Sequence, residues 1–200
     1  ATRRSILLDH KEEIRFDTLL VASGGRGYMP EELAEFRPLM HGFSSYTEAV
    51  TAAGVVPDRG HVIMLGGDMI GLDLARTLVD TRHRVTLVAG PQTFWPHEVG
   101  EDERPSLIAA LEKMGIEVVE GADAGGIASI EQGARGLSAR RVLFKDGTEL
   151  YGDVVMPFFG LSPSVEFMLG SGTDIERGLL VNPALRTTSE GIYAAGDVCQ

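Results

Sequence analysis

The 200-residue sequence predicts an α/β fold in which a parallel sheet carries crossover helices and an antiparallel β-meander is attached to it. Three observations predict it. Between His61 and Gly121 the hydrophobic pattern runs strand, helix, strand, helix, strand, the order that right-handed crossovers fold into a parallel sheet. Short continuous runs of Val, Ile, Leu and Met, punctuated by 25 glycines, suit strands buried on both faces. Beyond them lie shorter apolar runs joined through Lys145-Asp146-Gly147, and Asp-Gly is a strong hairpin signal.

Each element has its own justification. "VIMLGG" (62–67) is an apolar strand ending in glycines, and "MIGLDLARTLVD" (69–80) sets Ile70, Leu74 and Leu78 at helical spacing with Leu72 and Val79 alongside. "RVTLVAG" (84–90) is the second strand, followed by the Pro-rich loop "GPQTFWPHEVGEDE". "RPSLIAALEKM" (104–114) is a helix that Gly115 terminates, and "IEVVEG" (116–121) is the third strand. The acids Glu101, Asp102 and Glu103 stand where the helix dipole favours negative charge. "ASIEQG" (128–133), "ARRVLF" (139–144) and "ELYGDVVMPFFG" (149–160) read as the meander. The final segment reads as a short strand at "GLLV" (178–181), a turn at Asn182-Pro183, and a strand "GIYAAGD" (191–197) that ends in small residues beside Asp197.

One internal comparison ties the ends of the chain together. "ILLDHKEEIRFDTLLVASG" (6–24) lies without a gap over "VLFKDGTELYGDVVMPFFG" (142–160), so that Glu13 matches Glu149, Asp17 matches Asp153 and Gly24 matches Gly160. This register predicts two units of one design.

Composition narrows the function. A net charge of −11 argues against a duplex-binding surface, because Lys and Arg drive that affinity. A small anion remains compatible with it, since backbone amides at a helix start hold anions. No apolar run approaches the roughly 20 residues of a membrane span, and no signal-peptide pattern opens the chain. The single cysteine, Cys199, has no internal disulfide partner, which suits a reducing, cytoplasmic compartment. It reads as a small packing residue. His10, His41, His61, His83 and His97 lack metal-ligand spacing, so no metal is expected. Ser23 lacks the glycine of a nucleophile elbow. Phe94 and Trp95 read as core or lid residues of the loop after the second strand.

The chemistry concentrates at "LGGDMIGLDLA". A dinucleotide turn needs one glycine for the tight turn, a second for approach to pyrophosphate and a third for helix–strand packing. Gly66 and Gly71 take the first and third places, Gly67 is an additional glycine, and Asp68 takes the second. A carboxylate there is expected to crowd and repel pyrophosphate; two unit charges about 4 Å apart at an effective dielectric near 20 interact by roughly 4 kcal/mol. At the end of the second strand an acidic residue would accept from the adenosine ribose, and an Arg would suit a 2′-phosphate. Ala89 offers neither, and Arg82 and Arg84 precede the strand end. NAD(H) is therefore favoured over NADP(H), with weakened affinity.

"FDTLLVASGGRGYMP", "VIMLGGDMIGLDLA", "GDVVMPFFGLSPSVEF" and "GIYAAGDV" together resemble the successive motifs of the FAD-dependent pyridine nucleotide-disulfide oxidoreductases, a group that includes NADH oxidases, coenzyme A-disulfide reductases, ferredoxin and rubredoxin reductases and nitrite reductase flavoproteins. The resemblance covers essentially the whole chain. It implies a Rossmann-like FAD/NAD(P)-binding fold. Residues 1–41 would end the first FAD-domain portion, 42–164 would be an inserted NAD(P) domain with the lead-in helix "SSYTEAVTAAG", and 165–200 would return to the FAD domain. Carried over by position, Gly66, Gly67, Asp68, Met69, Ile70, Gly71, Asp73, Ala89 and Gly160 would face NAD(P), with Asp73 in the place of a Glu near nicotinamide. Ala22, Ser23, Gly24, Gly196 and Asp197 would face FAD, with Asp197 at the flavin ribityl. The family's first glycine fingerprint, its redox cysteines and its C-terminal interface domain are not in these residues, so this stretch alone is expected to lack activity. The implied reaction passes hydride from NADH to FAD and electrons to a disulfide, an iron–sulfur protein or another acceptor, a small molecule or a redox protein. No catalytic residue is assigned, and a homodimer is among the expected assemblies of the full-length protein. The alternative is an inserted domain that has lost nucleotide binding and serves a structural or partner-docking role.

Overall fold

The computed structural model describes residues 4–9, 11–120, 124–132 and 139–200; His10, Gly121 and Gly133, which enter the expectations above, lie outside the described residues. The chain divides into two compact units. One joins the stretch up to Arg26 with Leu161–Gln200, and the other is Gly27–Gly160.

The first unit begins with an antiparallel hairpin of β1 (Ser5–Leu7) and β2 (Glu13–Arg15). It is followed by β3 (Leu19–Val21) and the short β4 (Gly25–Gly27), at which the chain leaves for the second unit.

The second unit opens with a 3₁₀ segment, Glu31–Leu39, whose Leu33 is fully buried. Helix α1 (Tyr46–Val55) starts at Ser45, whose hydroxyl accepts from Glu48 N. The Ser45 hydroxyl thus satisfies a donor that a helix start otherwise leaves orphaned, and the Glu48 carboxylate accepts from Ser44 N at 2.7 Å, one residue before the cap. Strand β5 (His61–Gly66), helix α2 (Met69–Asp80), β6 (Arg84–Ala89), helix α3 (Arg104–Lys113) and β7 (Glu117–Glu120) follow in the expected order. Three antiparallel strands come next, β8 (Ile127–Gln132), β9 (Arg140–Phe144) and β10 (Glu149–Gly152). The Asp146-Gly147 hairpin forms as expected, with Gly147 at φ +89° and Asp146 Oδ1 accepting from Thr148 N.

"ELYGDVVMPFFG" does not stay in the meander. It breaks at Asp153, and its second half becomes β11 (Val154–Phe158), which pairs in parallel with β5. The break is fixed chemically: Asp153 Oδ2 accepts from His61 N at 2.8 Å, and a side chain at Gly152 would collide with Ile63. The parallel sheet thus has the order β11-β5-β6-β7. All four strands run parallel, but the order in which they are added reverses between β5 and β11, and open α/β sheets bind ligands at the carboxyl ends beside such a switch.

The continuous apolar runs have their cause in this placement. Val62, Met64, Val85 and Leu87 face the helices through Ala75, Ile108 and Leu111. Ile63, Leu65, Val88 and Val155 face the meander and the 3₁₀ segment through Ile130, Val142 and Leu33. A sheet covered on both faces has no solvent side on which to alternate.

After β11 the chain returns to the first unit with β12 (Leu161–Pro163), which pairs with β4, and β13 (Ile192–Ala194), which pairs in parallel with β3. "GLLV" forms no strand. Leu179 makes isolated bridges to Ile175 and Cys199, and the main-chain bonds of 179–181 are divided between Asp174 O on one side and Val198–Gln200 on the other.

The internal repeat is visible in both units. Each copy is a hairpin followed by a strand in parallel pairing and then a left-handed glycine, Gly24 at φ +64° and Gly160 at φ +92°. Even the hairpin turns correspond: Lys11, at φ +64°, occupies the place of Gly147.

Candidate functional site

The switch point of the second unit is built around one turn. Gly66 and Gly67 both have positive φ, +97° and +103°, and carry the chain from β5 over the end of β11, where Gly67 N and Asp68 N donate to Phe158 O. A Cβ at Gly66 would sit 2.2 Å from that carbonyl oxygen, so only glycine makes this turn. A Cβ at Gly71 would stand 2.5 Å from Phe158 Cγ, which is the helix–strand packing role expected of the third glycine.

Asp68 does not project as the sequence alone suggested. It is the N-cap of α2 and is 4% exposed. Its Oδ1 accepts from Gly71 N and its Oδ2 from Gly160 N, each at 2.8 Å, so the carboxylate bridges the helix start to the turn after β11. Rather than crowding the turn from outside, it lies inside it, at the positive end of the helix dipole.

The loop after β6 closes over the same turn. Gly90 N donates to Thr93 Oγ1 and that hydroxyl donates to Gly66 O. Phe94 N donates to Gly67 O at 2.8 Å, and Met69 N, the first amide of α2, donates to Trp95 O at 3.0 Å. The Trp95 ring lies against Gly160, where a Cβ would come within 2.8 Å of its Cδ2. Thr93 and Phe94 are buried, and Phe94 takes the left-handed φ of +80° that a bulky residue adopts only under constraint. Of the expected site residues, Gly66, Gly67, Asp68, Met69, Gly71 and Gly160 therefore meet in one hydrogen-bonded and packed cluster. Asp73 is exposed further along α2, and Ile70 is exposed in its first turn.

Ala89 is buried at the end of β6, in register with Gly66 on one side and Glu120 on the other. The polar groups absent from its own strand arrive from neighbours. Glu120 comes from β7, and Arg104, the first residue of α3, donates to Gly90 O at 2.9 Å with its Nε 3.7 Å from Glu120. Reading only the residues that follow β6 misses both; the signal that finds them is the alignment of strand ends, with Glu120 closing "EVVE" level with Ala89. Beside the turn is a cavity of about 250 Å³ lined by Tyr28, Leu65, Val88, Gln92, Ile127 and Phe159 among others.

In the first unit the second group of expected residues gathers at the carboxyl ends of β3 and β13. Ala195 N donates to Val21 O, so Ala22–Gly24 and Ala195–Asp197 leave two adjacent parallel strands together. Ser23 Oγ donates to Ser164 O at 2.9 Å, a structural bond that holds the turn. Gly196 has φ +82°, Asp197 is exposed, and Cys199 N donates to Gly196 O. The Cys199 thiol donates to the same carbonyl.

His61 and His41 stand apart from the Gly66–Gly71 turn. His61 is at the amino end of β5, with Nε2 2.8 Å from Thr86 Oγ1, which itself donates to Glu117. Burial, reinforced by Arg84, pushes its pKa below the ordinary value. His41 is lowered in the same way by burial and Arg140. Among the described residues no cluster of three or more His, Cys, Asp or Glu is arranged to hold a metal, and no helix is long and apolar enough to cross a membrane.

A family model described as pyridine nucleotide-disulphide oxidoreductase matches residues 1–200. The chain belongs to that family. Among its curated relatives, the nitric oxide reductase FlRd-NAD(+) reductase of Klebsiella pneumoniae is 27% identical over 98% of this chain and 50% of its own length. The rubredoxin-NAD(+) reductase of Alcanivorax borkumensis is 26% identical over 100% of this chain and 51% of its own. The chain spans about half the length of these relatives. In fold it is similar to putidaredoxin reductase, as solved in its covalent complex with putidaredoxin, with a TM-score of 0.82 at 21% identity over 98% of this chain and 47% of that one. The mixed architecture of parallel sheet and antiparallel meander is that of this family.

Proposed function

We propose that this chain is the central portion of a flavin-dependent NAD(P)H oxidoreductase, with NADH as donor, FAD as the resident carrier and a disulfide, an iron–sulfur protein or another small or protein acceptor downstream. The observation that carries the proposal is the duplication. Two copies of a hairpin, a strand in parallel pairing and a left-handed glycine each end at the carboxyl edge of a parallel sheet, one beside Asp197 and the other beside the Gly66–Gly71 turn. The reductase names of the relatives agree with a redox partner protein as acceptor.

In this reading residues 1–41 and 165–200 belong to a flavin domain, and 42–164 form the inserted nicotinamide domain. Residues 27–41 pack with the inserted domain through Leu33 and Met40. On the flavin side, Ala22, Ser23, Gly24, Gly196 and Asp197 fit a cofactor: small residues and a left-handed glycine leave backbone approachable, and the exposed Asp197 carboxylate is free to accept from hydroxyls. The cofactors supply the hydride and electron chemistry, and the chain supplies orientation and electrostatics. A cytoplasmic location and a dimeric full-length protein complete the proposal.

The nicotinamide side fits less simply. Met69 N and Gly71 N, which would face a pyrophosphate at the start of α2, are engaged by Trp95 O and Asp68. This observation favours a second reading, in which the inserted domain keeps its fold as a scaffold or docking module and flavin receives electrons elsewhere. Anaerobic titration of the FAD-loaded intact protein with NADH and NADPH decides between them. Bleaching of the flavin absorbance at stoichiometric NADH supports the first reading; a flavin that dithionite reduces and neither nucleotide does would overturn it in favour of the second.

A further inference from the structure

The start of α2 does not accept a dinucleotide as it stands: Asp68 engages one of its amides, and a separate loop segment engages the first. A pyrophosphate at a helix N-terminus is held by the first free amides and by the positive end of the dipole. Here the first amide is bonded to Trp95 O, the third to Asp68 Oδ1, and the dipole already faces a carboxylate. The loop that brings Trp95 O is latched at three further points. Thr93 Oγ1 links Gly66 O to Gly90 N, Phe94 N bonds Gly67 O, and Arg104 holds Gly90 O. The indole of Trp95 covers Gly160. A backbone carbonyl on an N1 amide offers the same kind of acceptor as a phosphate oxygen, at hydrogen-bond distance and without the charge.

We propose that Gly90–His97 is an intramolecular occupant of the dinucleotide seat, and that NAD(H) binds this domain by displacing the Trp95 segment from the first turn of α2. The inference rests on the first reading of function, since it presumes a dinucleotide. Apparent affinity is then the intrinsic affinity reduced by the fraction of molecules whose loop is already withdrawn. Thr93 and Trp95 set that fraction, although neither side chain bonds the nucleotide. Asp68 stays in place, because both of its oxygens are bonded within the junction, to Gly71 N and Gly160 N.

The test pairs calorimetric titration of NAD⁺ into the intact protein with hydrogen–deuterium exchange of the peptide spanning residues 90–97. Ligands ordinarily protect the peptides they touch; displacement makes this peptide exchange faster on NAD⁺ addition. Thr93→Val keeps the size of the side chain and removes its hydroxyl, and is expected to tighten NAD⁺ by about tenfold through a larger open fraction. Trp95→Ala unloads Gly160 and tightens NAD⁺ in the same direction, which keeps the test informative should Thr93→Val fold poorly. Binding with unchanged or slower exchange of 90–97 and unchanged affinity in both variants overturns the displacement. Absence of NAD⁺ and NADH binding in wild type and both variants overturns the functional reading itself, and this inference with it.

Discussion

Replacing Asp68 tests the turn most directly, because its carboxylate has two separable duties. With Asp68→Ala the helix loses its N-cap, and such losses cost about 1 kcal/mol. Gly160 N, in a buried residue, loses its acceptor as well, and an unsatisfied buried donor costs about 1–3 kcal/mol. The sum is roughly 2–4 kcal/mol, a large share of the 5–15 kcal/mol typical of a whole domain. Asp68→Asn separates the duties. Its amide oxygen still accepts from Gly71 N, but its NH₂ faces the Gly160 N–H, donor against donor. Asparagine should therefore retain the cap and lose the bridge, at roughly 1–3 kcal/mol. Urea unfolding followed by far-UV circular dichroism, with the slope against denaturant checked for constancy, measures both. An alanine variant within about 0.5 kcal/mol of wild type, or an asparagine variant as costly as alanine, would refute the bridging role.

Three further outcomes are expected. Gly71→Ala should destabilise by about 1–3 kcal/mol, because the new Cβ meets the Phe158 ring at 2.5 Å; adding Phe158→Leu should recover part of that cost, and strict additivity in the double-mutant cycle would show that the contact does not limit packing. Lys11→Gly should stabilise by up to about 1 kcal/mol, since Lys11 holds the left-handed conformation that its repeat partner Gly147 takes without strain; a lower melting temperature would contradict the correspondence. His61 and His41 have folded pKa values below the ordinary 6.5, so the unfolded chain binds more protons as pH falls. Their contribution is present above pH about 6.5 and is lost as pH drops through the folded values. Melting temperature should fall from pH 7.5 to pH 5, by less in His61→Asn; an equal fall in the variant would remove His61 from the account.

The parallel core was legible because burial on both faces writes itself as continuous apolar runs, and because Gly66 and Gly71 sit where no side chain fits. The repeat was legible for the same reason: hairpin turn, strand and left-handed glycine each demand particular residue types, twice. The split of 149–160 at Asp153 was not, since the two halves differ in partner and not in composition. Asp68 carried the ordinary signature of a helix N-cap, an Asp directly before an amphipathic run, yet its second bond reaches Gly160, 92 residues away, and nothing local announces it. Arg104 and Glu120 were hidden because they reach the end of β6 from other elements. The closure by Phe94 and Trp95 was least legible of all. It runs through backbone N–H and C=O groups, which every residue has, so sequence could place an aromatic lid after β6 without saying that its main chain would bond α2.

Stability of the turn and affinity for an anion therefore draw on the same donors. In a dinucleotide turn with three glycines, the first amides of the helix wait for the ligand, and the protein stays less stable by whatever those orphans cost. Here Asp68 and Trp95 O satisfy two of them within the chain, which firms the junction of β5, α2 and β11 and makes any anion compete for it. The two partners are not equivalent as obstacles. The Asp68 carboxylate lies 4% exposed and bonded on both oxygens, so removing it dismantles the junction. Trp95 O belongs to the loop after β6, which is no part of the β11-β5-β6-β7 pairing. The negative charge in the sequence first looked like the feature that faces a ligand; the structure turns that charge into the junction and sets an uncharged group, Trp95 O, on the first amide of α2.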